Sequence, residues 1–277
     1  MSSVKTAFDL TGRVAVITGG AGLLGKKHAE AIAEMGGVPV MLDLKAGHAE
    51  RSAREIADTF GVNAIGLDCD ITQPETIREV LANCLDQFGR VDILINNAAH
   101  DPKVGEAGSS QHWSRLENFP LDVWLRDLSV ALTGAFVCSQ IIGGEMARRG
   151  RGVILNIASD LAVIAPDQRI YRQPGLPEAE QPVKPVTYSV TKAGVVGLTR
   201  YLATYWAEKN VRVNSISPGG VFTGQEPDFV RRLTNLIPLG RMAEVDEYKA
   251  AIVFMVSDAS AYMTGTNLII DGGRTCW

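Results

Sequence analysis

Cysteine is scarce in this 277-residue chain. Cys69, Cys84, Cys138 and Cys276 are the only four, they form no CxxC pair, and they do not cluster with the four histidines. That spacing excludes a disulfide-stapled scaffold and a thiolate metal site, and points to the reduced, mostly buried thiols of a cytoplasmic protein. Long hydrophobic runs are absent too. No stretch reaches the roughly 18 apolar residues a membrane span needs, and the polar opening MSSVKTAFDL does not read as a signal peptide. Nor is there an excess of positive charge: 27 Lys+Arg against 31 Asp+Glu leave −4, which argues against nucleic acid or an anionic membrane as partner. No internal repeat, low-complexity tract or linker marks a second domain. One domain over residues 1–277 is expected, and 46% hydrophobic residues suffice for a sizeable core.

What is present is an alternation. Short runs of β-branched and apolar residues at Arg13–Thr18, Val38–Asp43, Val62–Leu67, Val91–Asn96, Gly152–Ile157, Val211–Ile216 and Asn267–Asp271 read as seven strands. Most lack strict apolar/polar alternation, as strands covered on both faces do. Between them lie helical patterns. Pro74–Phe88 puts Ile77, Val80, Leu81, Cys84, Leu85 and Phe88 on one side, and Thr72 with Glu75 offers a capping box at its start. Strand–helix alternation predicts a doubly wound parallel α/β sheet, Rossmann-like, with helices on both faces and its ligands beyond the carboxyl ends of the strands. Two connections, about residues 99–120 and 160–186, are too long for simple turns, and such loops are usually functional.

The first strand runs into Thr18-Gly19-Gly20-Ala21-Gly22-Leu23-Leu24-Gly25 and then a helix. Gly20, Gly22 and Gly25 fit G-x-G-x-x-G, which permits a tight turn, close approach of backbone to a pyrophosphate and close helix–sheet packing. The helix N-terminus offers free N–H groups to the phosphates. About 20 residues further on, the second strand ends in Asp43, whose carboxylate can accept both ribose hydroxyls and would repel a 2′-phosphate. No arginine stands in the glycine loop, although Lys45 is near. NAD is therefore expected over NADP.

Further segments complete a pattern: Asp70-Ile71-Thr72 after the third strand, Asn96-Asn97-Ala98-Ala99 after the fourth, Ser159 after the fifth, Tyr188-Ser189-Val190-Thr191-Lys192, and Pro218-Gly219-Gly220-Val221-Phe222-Thr223 after the sixth. Over nearly its whole length the chain resembles the single-domain branch of the short-chain dehydrogenase/reductase family. The resemblance implies an NAD-dependent oxidoreductase with Tyr188 as acid/base, helped by Ser159 and Lys192. It also implies cofactor contacts at Gly19, Gly22, Leu23, Leu24, Gly25, Asp43, Asp70, Ile71, Asn97, Ala98, Tyr188, Lys192, Pro218, Gly219, Val221 and Thr223, with no metal. The physical logic agrees: Tyr188 and Lys192, four apart, share one helix face. A nearby ammonium favours phenolate in a group whose free pKa is about 10, and Ser159 can bond the substrate oxygen as charge develops.

Three departures stand out. Leu23 replaces a usual glycine, and Ala99 replaces the last residue of the family's NNAG. Ala131, in Ser129-Val130-Ala131-Leu132-Thr133-Gly134, occupies the place of the Asn that supports a relay water beside the lysine. Either another group holds that water or turnover is slowed.

Ser159 and Tyr188 are 29 residues apart, a long spacing for this family, so the Pro- and charge-rich segment between them must leave and re-enter the site. His100, Asp101, Lys103, His112, Arg169, Arg172 and Lys184 are the expected pocket side chains, and such a lining suits a hydroxylated or anionic small molecule. The segments APDQRIY, KPVTYSVTKAG and DGGRTCW resemble members from bacterial surface-sugar biosynthesis, implying a sugar, sugar phosphate, sugar nucleotide or polyol. A 3-oxoacyl carrier-protein reductase and a catalytically weakened NAD-binding regulator remain alternatives. The resemblance also implies a homodimer or homotetramer.

Overall fold

The computed structural model describes residues 3–100 and 113–277. Its centre is a seven-stranded, all-parallel sheet in the order β3-β2-β1-β4-β5-β6-β7. The strands are β1 Val14–Thr18, β2 Val38–Asp43, β3 Ile65–Asp68, β4 Ile93–Asn96, β5 Gly152–Ile157, β6 Val211–Pro218 and β7 Asn267–Ile270. All seven lie where the sequence places them. β3 and β4 begin later than the apolar runs do, and β6 continues to Pro218.

Each central strand feeds two cores at once. In β1, Ala15 and Ile17 join one cluster, with Ala29 and Ile32 of the helix Leu23–Glu34, Ala53 and Ile56 of His48–Phe60, and Ile252 of Lys249–Val256. Val14 and Val16 join the other, with Ile77, Val80 and Cys84 of Pro74–Phe88, Val137 and Ile142, and Leu202 of Val186–Tyr205. Continuous apolar strands arise because both faces are covered. Three cysteines are buried and free, with Cys276 exposed; burial pushes the Cys84 thiol up to about 11 and raises Cys138 as well.

The helix Pro74–Phe88 has the predicted bounds, but not the predicted cap. Asp70 takes the place of the Thr72–Glu75 capping box: its carboxylate accepts from the Thr72 backbone N–H (2.9 Å) and hydroxyl (2.7 Å), closing an Asx-turn before Pro74 starts the helix. The helix Leu121–Arg149 is the surprise. By length and composition it could cross a membrane, but half of its apolar window is buried and it packs against β4 and β5 as a core element. Two π-turns, Ser129–Thr133 and Ser139–Gly143, interrupt it, and Ala131 sits buried in the first.

The order reverses between β1 and β4, and a doubly wound sheet opens its ligand crevice at such a point. Below it a buried amide chain ties four elements together. Asn96 Nδ2 donates to Asn156 Oδ1 (2.8 Å) and Ser139 Oγ (3.2 Å), and Asn156 Nδ2 donates to Thr199 Oγ1 (2.8 Å). The carboxyl ends of β4 and β5 are thereby fixed against the helices carrying Ala131 and Tyr188.

The candidate active site

The glycine loop is built by close approach. A Cβ on Gly25 would lie 2.1 Å from the Gly19 carbonyl oxygen, and one on Gly20 would lie 2.8 Å from Met41 Cβ; Gly19 itself has φ +61°. The helix after it begins at Gly22 with no side-chain cap, so its first-turn N–H groups face the crevice unclaimed by any side chain. Asn97 anchors the loop from β4, its Nδ2 donating to the carbonyls of Thr18 (3.0 Å) and Gly19 (3.2 Å). The Thr18 hydroxyl in return accepts the Asn97 and Ala98 N–H groups, both at 3.0 Å. Beneath the loop His28 is fully buried, and neither ring nitrogen meets hydrogen-bond geometry. Burial lowers it to about 4, with Asn97 pulling weakly the other way. These residues fit a nicotinamide dinucleotide: glycines let the loop fold tightly onto the start of a helix that no side chain caps.

Asp43 ends β2 at the rim of the crevice, and its Oδ1 accepts a 3.3 Å contact from the Lys45 backbone N–H. Asp70 and Ile71 follow β3, but one Asp70 oxygen is already spent on the Asx-turn. On the far side, Gly219 hydrogen-bonds to Ile270 (2.8 Å), so Pro218 and Gly219 are held by β7. Gln225 brackets the next turn, accepting the Thr223 N–H (2.8 Å) and donating to the Val221 carbonyl (2.8 Å).

The chemistry-bearing side chains converge between β5 and the helix Val186–Tyr205. Ser159 and Lys192 are buried and Tyr188 is half-buried. Lys192 Nζ donates to the Ile157 carbonyl (2.8 Å) and lies 6.0 Å from the Tyr188 ring centre. A second cation is nearer: Lys184 Nζ stands 3.7 Å over the same ring. Ser159 and Tyr188 both line a cavity of about 230 Å³, with Asp160, Lys184, Gln225 and Arg274 supplying most of its other polar wall. A larger hollow of about 820 Å³ opens beside it, between the insert and the helix Pro227–Thr234. The insert is not loose. Ile170 packs with Leu233, Ile237 and Met242 in a small core of its own, and the Tyr171 and Phe229 rings meet at 5.5 Å.

The sequence-predicted substrate residues separate. Arg172 lines the larger hollow, paired with Glu178 at 3.0 Å. Arg169 does not reach either hollow: Asp167 forms a turn that captures its backbone N–H and grips its guanidinium at 2.8 and 2.7 Å, leaving it 79% exposed. The pairing keeps the Asp167 carboxyl below its ordinary range. His100 turns to Asp127 instead, with Nδ1 2.5 Å from the buried carboxylate, which also receives the Thr187 hydroxyl. Asp101, Lys103 and His112 lie outside the described residues. The sequence reading missed Asp127, Asp160, Gln225 and Arg274. None of the four carries a local sequence mark, since Asp127 stands beside Arg126 in a helix that also holds Asp122.

Comparison with known proteins bears on this geometry. The family described as short chain dehydrogenase matches residues 13–171, more than half of the chain, and that described as Enoyl-(Acyl carrier protein) reductase matches residues 178–275. The chain belongs to the short-chain dehydrogenase/reductase family. Among this family's members it is 35% identical to an NAD-dependent glycerol dehydrogenase of Listeria innocua, over 97% of this chain and 96% of that one. It is also 35% identical to a D-threitol dehydrogenase of Mycolicibacterium smegmatis, over 99% and 96%. A gluconate 5-dehydrogenase from Burkholderia cenocepacia, solved with NADP and tartrate, superimposes with a TM-score of 0.86 at 28% identity, covering 99% of this chain and all of that one. This short-chain dehydrogenase/reductase is thus an enzyme acting on CH–OH groups with a nicotinamide cofactor. No cluster of His, Cys, Asp or Glu suited to a metal exists among the described residues.

Proposed function

We propose that the chain is an NAD-dependent dehydrogenase that interconverts a secondary alcohol and a ketone on a polyol or sugar. The observation that carries this is the small cavity, where Ser159 and Tyr188 share one wall with the polar groups of Asp160, Lys184, Gln225 and Arg274. A hydroxyl-rich molecule finds partners there that a fatty chain would leave buried and unpaired. The names of the relatives favour the same class.

In this reading Tyr188 takes the proton from the substrate hydroxyl, or returns it to the ketone oxygen. The ammonium groups of Lys192 and Lys184, both near its ring, favour the phenolate. Ser159 bonds the reacting oxygen. NAD, when bound, supplies the hydride acceptor. Gly19, Gly22, Leu23, Leu24 and Gly25 would cradle its pyrophosphate, Asp43 its adenosine ribose, Asp70 and Ile71 its adenine, and Asn97, Ala98, Pro218, Gly219, Val221 and Thr223 its nicotinamide half, with Lys192 on the ribose there. The NAD preference rests on Asp43, since relatives with either cofactor are known. A single domain, a cytoplasmic setting and a homodimer or homotetramer complete the proposal. The exposed Val190, Tyr201 and Tyr205 on the tyrosine helix offer a face for association.

The test is NADH formation from glycerol, tetritols, pentitols, hexitols and aldonates, with NADP in parallel. Turnover of at least one polyol or sugar, faster with NAD, is expected. Reduction of a 3-oxoacyl thioester with NADPH, and of nothing else, would move the assignment to a 3-oxoacyl carrier-protein reductase.

A further inference from the structure

Arg274 comes from the tail beyond β7, yet its side chain lies in the wall of the catalytic cavity and is 93% buried, at 7% exposure. Its Nη1 donates to Asp160 Oδ2 at 2.7 Å, and Asp160 is buried as deeply, at 4%. The other Asp160 oxygen faces the serine: Ser159 Oγ donates to Oδ1 at 2.8 Å. The Leu161 N–H is shared between that same Oδ1 (2.8 Å) and Ser159 Oγ (3.2 Å). Guanidinium, carboxylate and serine hydroxyl therefore form one file ending at the reacting centre.

The tail is shaped to deliver the arginine. Asp271 accepts the backbone N–H of Gly273 (2.9 Å) and of Thr275 (2.7 Å), winding the chain around its carboxylate. Gly272 and Gly273 have φ of +68° and +90°, and a Cβ on either would press into Ile237 (2.7 Å) or Pro238 (2.9 Å). Taking two charges out of water is costly, and a neutral apolar pair of similar size often stabilises a core equally well. The pair needs another explanation, and its contact with Ser159 provides one.

We infer that Asp160 and Arg274 are positioning residues for Ser159, through which the C-terminal tail forms part of the active site. Asp160 fixes where the serine hydroxyl points. Arg274 fixes Asp160 and balances its negative charge beside an oxygen that becomes negative during the reaction. The Leu161 N–H holds the Ser159 oxygen in place, and as charge develops on the substrate oxygen the serine hydrogen is shared between Asp160 and that oxygen. This rests on the proposed role of Ser159, so the experiment separates the two.

Arg274→Ala and Arg274→Lys are compared in the wild-type and Ser159→Ala backgrounds, with Tyr188→Phe as reference. Activity is measured as NAD reduction by D-threitol and glycerol, and NAD affinity by fluorescence. Arg274→Ala should lower kcat about 10- to 100-fold, the range that misplacing a reacting group costs. NAD affinity should stay within about twofold of wild type, as expected when the lost interaction acts in the transition state and not in ground-state binding. Arg274→Lys and added guanidinium ion should each restore part of the loss. In the Ser159→Ala background, Arg274→Ala should cost nothing more. Additive losses there, or a normal kcat for a folded Arg274→Ala protein, would overturn the inference. Full activity in Tyr188→Phe would instead overturn the functional reading beneath it. Where neither alcohol is turned over, crystal structures decide: in Arg274→Ala the Ser159 hydroxyl should leave residue 160, and an unchanged 2.8 Å contact would refute the positioning role. If Arg274→Ala does not fold, the uncharged pair Asp160→Asn/Arg274→Gln takes its place in both measurements.

Discussion

The two halves of the crevice are made from different materials. Around β1, β2 and β4 the binding surface is backbone: a glycine loop, an uncapped helix start and an amide that pins them together. Around β5, β6 and the tail it is side chain: Ser159, Asp160, Tyr188, Lys184 and Arg274 gather from segments far apart in sequence. A backbone surface tolerates little change and recognises what all dinucleotides share. A side-chain surface can be rewritten residue by residue, and is the half suited to choosing among alcohols.

That contrast can be broken most directly at Tyr188. Tyr188→Phe removes one transferable proton and nothing from the cofactor half, so turnover should fall about 100-fold or more while NAD affinity holds. A variant with lost affinity and lost turnover together would mean the two halves are not separable. The complementary change is Gly25→Ala. Its added methyl falls 2.1 Å from the Gly19 oxygen, and overpacking of this kind costs about 1–3 kcal/mol. Calorimetric titration should find NAD binding weakened about tenfold or more; wild-type affinity would show that the loop shifts freely.

At the seam between cofactor classes, Asp43→Ala should reduce the NAD over NADP preference about tenfold, the worth of hydrogen bonds to a charged group. An unchanged ratio of kcat/KM values would assign the discrimination to another residue. The smallest effects belong to the insert. Arg172→Ala should raise KM for the alcohol a few fold, roughly 1 kcal/mol at an exposed ion pair, because Arg172 lines the outer hollow. Arg169→Ala should leave KM as it is, since that guanidinium is held by Asp167. Reversed sensitivities would mean that substrate reorganises the insert.

The same contrast explains what could be read from sequence. Glycines, strand ends and the Tyr188–Lys192 spacing are local signals, so the seven strands and the cofactor loop follow from short windows of chain. Arg274 and Asp160 are 114 residues apart and neither carries a local mark, so only the folded sheet brings them together. Arg169 failed for a local reason of its own: an aspartate two residues before it captures the arginine within one turn, and a count of cations cannot see that. The Thr72–Glu75 cap failed similarly, because Asp70 closes its turn first.

The imidazole of His28 has a consequence for life in acid. Held uncharged in the core, its pKa lowered by burial from the ordinary 6.5 to about 4, it refuses a proton that the unfolded chain accepts. As pH falls from about 6.5 towards 4, protons therefore favour the unfolded chain, and the native state loses about 3 kcal/mol before the penalty levels off. Urea titrations at neutral pH and near pH 4.5 should register most of that loss in the wild type and little of it in His28→Leu. Parallel losses in both proteins would place the sensitivity elsewhere. Burying one ring beneath the glycine loop thus narrows the range of acidity over which the fold holds its full stability.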